Sequence, residues 1–175
     1  HDSELATWLP RKLEVGESTE LPKSLALRLA RFHVVDNISG QEGPFSEQDI
    51  EEADVQIQII RSEGDQLHLQ ITGKLVTESD GVYKLGETDW KHFPSRTRGV
   101  KATMHGTAIW NSAKQGFDRF DAILTGTVWG GSGLNGRRGV TESKPAKVAW
   151  WIEISGDQPA DRLPPAFVDV YGADW

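Results

Sequence analysis

From Asp54 onward the hydrophobic period of this chain is two, and it keeps returning to two as far as Ser155. In "DVQIQII" the residues Val55, Ile57 and Ile59 alternate with Asp54, Gln56 and Gln58. In "QLHLQITGKLV" the residues Leu67, Leu69, Ile71 and Leu75 alternate with His68, Gln70, Thr72 and Lys74. Successive strand side chains point to opposite faces, so this pattern builds sheets with one apolar and one polar face. "SEGDQ" between the two runs predicts a hairpin. A third strand is expected in "GVKATMHGTAIW", a turn in "NSAKQG", and a fourth strand in "FDRFDAILTGTVW". A glycine-rich loop, "GGSGLNGRRGVTESKP", separates these from a fifth, "AKVAWWIEIS". The polar stretch 78–99 is long for a hairpin loop and is expected to cross the sheet or cover one end.

The N-terminal part reads differently. "SELATWL" (3–9) predicts a short helix, with Ser3 as N-cap and Pro10 as stop. "PKSLALRLARF" (22–32) predicts the main helix, with Leu25, Leu29 and Phe32 on one stripe. "SEQD" (46–49) fits a capping box. The expected fold is therefore α+β: N-terminal helices packed on a curved, mainly antiparallel sheet or partial barrel of five to six strands. With 175 residues the chain is expected to form one domain: a helical part to residue 52, a sheet over 53–155, and an irregular tail over 156–175.

Three mid-strand glycines, Gly73, Gly106 and Gly126, fall on the apolar face by alternation. Glycine weakens a strand, so each needs a reason: bends in a curved sheet, or a helix lying close across a glycine row.

Composition narrows the function. A net charge of −7 disfavours nucleic acid and anionic membrane surfaces as partners. No run approaches the roughly 20 apolar residues of a membrane span. The absence of cysteine excludes disulfides, thiolate metal sites and cysteine nucleophiles. No cofactor is expected. Neither G-x-S-x-G nor H-E-x-x-H occurs, and carboxylate pairs such as Glu51/Glu52 or Asp118/Asp121 are too common in an acidic chain to count.

The polar sheet face is the best place to seek a site. By alternation it carries His68, Lys74, His105, Arg119, Asp121, Trp129 and Trp151. Indoles beside polar groups stack on sugar rings or apolar ligands. The expected ligand-binding set is His105, Asp121, Trp129 and Trp151, joined by Arg137 and Arg138 of the glycine-rich loop. That loop lacks the Lys-Ser/Thr pair and following helix of a phosphate-binding loop, so a nucleotide site is not expected. Histidines on neighbouring strands can also ligate Zn or Cu. An N-terminal histidine can chelate copper, as in lytic polysaccharide monooxygenases, although the surrounding sequence does not resemble that family. "RLARFHVVDNISGQ" (28–41) groups His33, Asp36 and Asn37, but it reads as a helix end and turn: Arg31 and His33 suit the helix C-terminus, and Asp36, Asn37, Ser39 and Gly40 form turns.

"LARFHVVDNISGQ" (29–41), "FDRFDAILTGTVWGG" (117–131) and "PADRLPPAF" (159–167) together resemble an uncharacterised domain of exported proteins from planctomycete-type bacteria. The resemblance covers most of the chain from residue 21 onward. It implies an extracytoplasmic setting, periplasmic or secreted, which agrees with His1 as a processed start, and it supplies no catalytic residue or ligand. The expectation is a non-catalytic exported binding or accessory domain for a small apolar or glycan-like ligand, or a partner protein. The alternatives are a metal-dependent oxidoreductase or hydrolase using His1, His68 or His105, and a subunit of a larger extracytoplasmic assembly with an apolar patch near the C-terminal "YGADW".

Overall fold

The computed structural model describes residues 14–36, 44–80, 97–130 and 139–156. They form one open antiparallel sheet of six strands, with the strands side by side in chain order. The strands are β1 (Ser18–Glu20), β2 (Ile50–Glu63), β3 (Gln66–Ser79), β4 (Arg98–Asn111), β5 (Gly116–Trp129) and β6 (Ala146–Glu153). Each pairs only with its neighbours in sequence, through hairpins or longer connections. The expected α+β character holds, with a correction: among the described residues there is one short helix, α1 (Lys23–Arg28), not several. The helix expected over residues 3–9 and the tail from residue 157 lie outside the described residues.

The alternation sets which face is buried. Val55, Ile57 and Ile59 of β2, Leu69, Ile71 and Leu75 of β3, Val100, Ala102, Met104 and Ala108 of β4, and Ala122, Leu124 and Val128 of β5 are all buried in one core. At roughly 25 cal/mol per Å² of apolar surface removed from water, this inner face is the main source of stability. The β2–β3 turn has only two residues, Gly64 and Asp65. Gly64 takes φ +57°, as a tight hairpin with glycine first requires. In the β4–β5 turn the Asn111 side-chain oxygen accepts hydrogen bonds from the backbone N–H groups of Ala113 and Lys114, both at 3.1 Å.

The helix covers the inner face, though not with the expected stripe. It ends as a π-turn over Leu29–His33, closed by Val34 N–H donating to Leu29 C=O at 3.1 Å. The buried row runs Ala26, Ala30 and Val34 at i, i+4 and i+8, beside the expected stripe. Ala26 and Ala30 are the fully buried pair; of the expected stripe Phe32 is buried, while Leu25 and Leu29 are half-buried at the margin. Beyond it, the indole N–H of Trp150 on β6 donates to Val35 C=O at 3.0 Å, tying the segment across the sheet. The capping box at Ser46 is formed: its backbone N–H donates to the Asp49 carboxylate at 2.8 Å. The turn it opens is a single 3₁₀ turn, Glu47–Asp49, before β2.

The glycines answer to sheet curvature, not to the helix. Gly73, Gly106 and Gly126 stand in three different cross-strand rows. A Cβ on Gly126 would fall 2.0 Å from Lys101 C=O, and one on Gly106 would fall 2.8 Å from the Ala122 Cβ. Both clashes are with the adjacent strand, so these positions let neighbouring strands coil tightly. No helix among the described residues is long and apolar enough to cross a membrane.

Candidate functional site

The outer face is a grid whose rows follow from the strand register. One row runs Thr72, His105, Ile123, Trp151 across β3 to β6. On one side lies Gln70, Thr107, Asp121, Glu153, and on the other Lys74, Thr103, Thr125, Ala149. His105, Asp121 and Trp151 of the expected set are therefore brought together: His105 and Trp151 flank Ile123, and Asp121 stands in the next row.

Trp151 is 64% exposed and Ile123 40%, an apolar pair open to solvent beside the polar side chains of Asp121, Thr125 and Glu153. Direct cross-strand neighbours lie about 4.5–5.5 Å apart at Cβ, so the two form one apolar platform. The Trp151 indole N–H donates to the Glu153 carboxylate at 3.3 Å, which fixes the indole edge toward the polar row. In that row Asp121 is paired with Arg119, two positions along β5. Beside the platform is an open hollow of about 380 Å³. Thr103, Thr125 and Thr127 floor it, and the Lys74–Glu52 ion pair and Lys101 stand around it.

Trp129 does not join this surface. It lies on the outer face, as alternation predicts, but it is 4% exposed. Its register partner is Gly99, and a Cβ there would lie 2.1 Å from Trp129 Cζ2. The indole thus lies flat over a strand that has no side chain at that point. The Lys101 ammonium sits 5.1 Å from the ring centroid, a cation–π contact. Trp129 and Trp151 are also far apart, since six positions on β5 separate Trp129 from Ile123, or about 20 Å at roughly 3.3 Å per residue. A buried indole presents no ring to a ligand from solvent.

The histidines do not converge. His105 is exposed, four positions along the sheet from the row of His68, or about 13 Å at roughly 3.3 Å per residue. His68 is taken up by Arg61 at 3.1 Å and Glu63 at 3.4 Å. Among the described residues no three His, Asp or Glu side chains come together in a metal-binding group. His1, Arg137, Arg138 and the segment 171–175 lie outside the described residues. At the base of the glycine-rich loop, Gly130 N–H donates to Val140 C=O at 3.2 Å, and Thr141 pairs with Lys144.

Two titrating groups are displaced from their usual ranges, both away from the platform. Burial, with help from Arg28, pushes the His33 imidazole down, against the charge that a helix C-terminus favours. Asp118 sits at the register shift of β5 opposite Ile109/Trp110 and accepts from Lys114 at 2.7 Å, Asn111 at 3.0 Å and Gln66 at 2.9 Å. These donors lower its carboxyl to about 2. Sequence reading discounted Asp118 because only the bulge gathers its three donors. The cluster pins the turn end of three strands, which is a structural role.

No protein-family model, curated protein or solved structure matches the chain.

Proposed function

We propose that this chain is a non-catalytic, extracytoplasmic binding or accessory domain that holds a neutral glycan-like ligand on the outer sheet face. One observation carries the reading: the exposed Trp151–Ile123 platform stands one row from Thr103 and Thr125, which line an open hollow. A sugar has an apolar ring face and a rim of hydroxyls. The indole suits the first, and the hydroxyls of Thr103 and Thr125 with the carboxylates of Asp121 and Glu153 suit the second. The net charge of −7 favours a neutral ligand over a polyanion. His105 supplies a further donor or acceptor at the row's centre. The extracytoplasmic setting rests on the resemblance of residues 29–41, 117–131 and 159–167 to exported proteins.

The test is calorimetric titration of the chain with a panel of neutral oligosaccharides. Binding is expected, with Trp151→Ala weakening it by about tenfold or more, as a stacked aromatic anchor does when truncated. Absence of heat for the whole panel, or binding that Trp151→Ala leaves unchanged, would sink the reading.

A further inference from the structure

The two edges of the sheet are built differently. At the first edge, β1 is three residues long and covers only the middle of β2. The uncovered ends of β2 carry register shifts at Ile50/Glu52 and Ile59/Arg61, together with Glu51, Glu52, Arg61 and Glu63. Short strands, bulges and charges are the usual protections of an edge against pairing. At the other edge among the described residues, β6 has no bulge, and its charges are confined to one lysine and one glutamate. Its eight residues keep unbroken register with β5 and read Ala-Lys-Val-Ala-Trp-Trp-Ile-Glu. The one lysine and one glutamate stand near opposite ends. Lys147 has no ion-pair partner among the described residues, and Trp151 and the following Ile154 are exposed.

We propose that β6 pairs with β6 of a second copy of this chain, antiparallel about a two-fold axis at Trp150. Opposed residues of an antiparallel pair share a face, so the axis must pass through a residue, not between two. With the axis at Trp150, Lys147 of each copy faces Glu153 of the other, so both charges are matched twice. On the same face Ala149 lies opposite Trp151, a small side chain against a large one. On the inner face Val148 lies opposite Ile152, which carries the apolar layer across the junction. An axis at Ala149 sets Lys147 against Trp151 and leaves Glu153 beyond the end of the ladder. The two six-stranded sheets join into one, and an isologous contact of this kind closes on itself as a dimer. The two Trp151 rings become diagonal neighbours about 7–8 Å apart across the axis, a longer aromatic strip than one copy offers.

The pairing does not depend on the ligand reading, and its test uses no ligand. Sedimentation velocity of the full 175-residue chain is expected to show a monomer–dimer equilibrium. Lys147→Glu alone and Glu153→Lys alone each create two like-charge contacts and raise the dissociation constant by about tenfold. Mixing the two variants restores both ion pairs, so the mixture is expected to dimerise as the parent does, as heterodimers. Both residues are exposed, so the fold is expected to survive, and circular dichroism checks it. A chain that stays monomeric, a dimer that neither reversal weakens, or a mixture that remains as weak as its parts would each overturn the proposal.

Discussion

Trp129 and Trp151 point from the same face of the same sheet and meet opposite fates. Trp129 lies over Gly99 with Lys101 above it, and it is buried. Trp151 stands on the edge strand beside Ile123 and Ala149, and it is open. The difference teaches that alternation assigns a side chain to a face but not to solvent. What decides burial is whether the neighbouring strand leaves room for the ring and whether another strand lies beyond.

The largest expected effect separates the two rings directly. Trp129→Ala is expected to destabilise the chain by about 3–5 kcal/mol, as a large-to-small change in a packed site does. Trp151→Ala is expected to move stability by no more than about 0.5 kcal/mol. Urea unfolding of both variants checks the contrast, and equal losses would break it. Next comes Gly99→Ala, which drives a methyl into the indole and toward Thr77 C=O, 2.6 Å from the new atom. Overpacking of this kind costs about 1–3 kcal/mol. Combining it with Trp129→Leu should cost less than the two changes summed, because the clash is removed with the ring.

Smaller effects are expected away from both rings and serve as controls on the comparison. The folded value of His33 is lowered, so its contribution to stability is present above the ordinary imidazole range and is lost as pH falls through that range. His33→Gln should flatten the stability slope there, while Trp151→Ala should leave it alone. The smallest concerns Asp118. Its carboxyl is depressed to about 2, so its contribution is present above the ordinary carboxylate range and is lost only as pH falls toward that value. Carboxyl NMR titration should find the low midpoint, and Lys114→Ala should raise it, since the Lys114 hydrogen bond is the largest cause. A midpoint unchanged by that substitution would mean the cluster at the β5 bulge is not what holds the proton off.

The sheet was largely legible because its signal is local. A period of two over runs such as Val55 to Ile59 leaves little else for the chain to form. Other parts depend on partners that no single stretch displays. β1 has no apolar alternation, and Ser18–Glu20 becomes a strand only because β2 offers backbone groups. The helix stripe misled because the buried row is made of small residues, Ala26 and Ala30, with Val34, while the larger Leu25 and Leu29 lie at its margin. At the site, His105, Asp121 and Trp151 were found by face, but Ile123 was missed. An isoleucine on a polar face looks like noise until the register sets it between a histidine and a tryptophan. Trp129 was misjudged because its burial is decided by a glycine thirty positions away in sequence.

The strict chain order of the strands has a kinetic consequence. Each strand docks against the one made just before or after it, two of the pairings close short turns (β2–β3 and β4–β5), and no strand has to be threaded between two already joined. Assembly can therefore advance by accretion from the β2–β3 hairpin, whose turn has two residues. β6 is then the last strand that can add at its end. Until it docks, the growing edge is β5, a fourteen-residue strand with Leu124 and Val128 on its apolar side. In that interval the longer edge of β5 is open, and the arrival of Ala146–Glu153 covers it over Asp121–Val128 and replaces it with a shorter one.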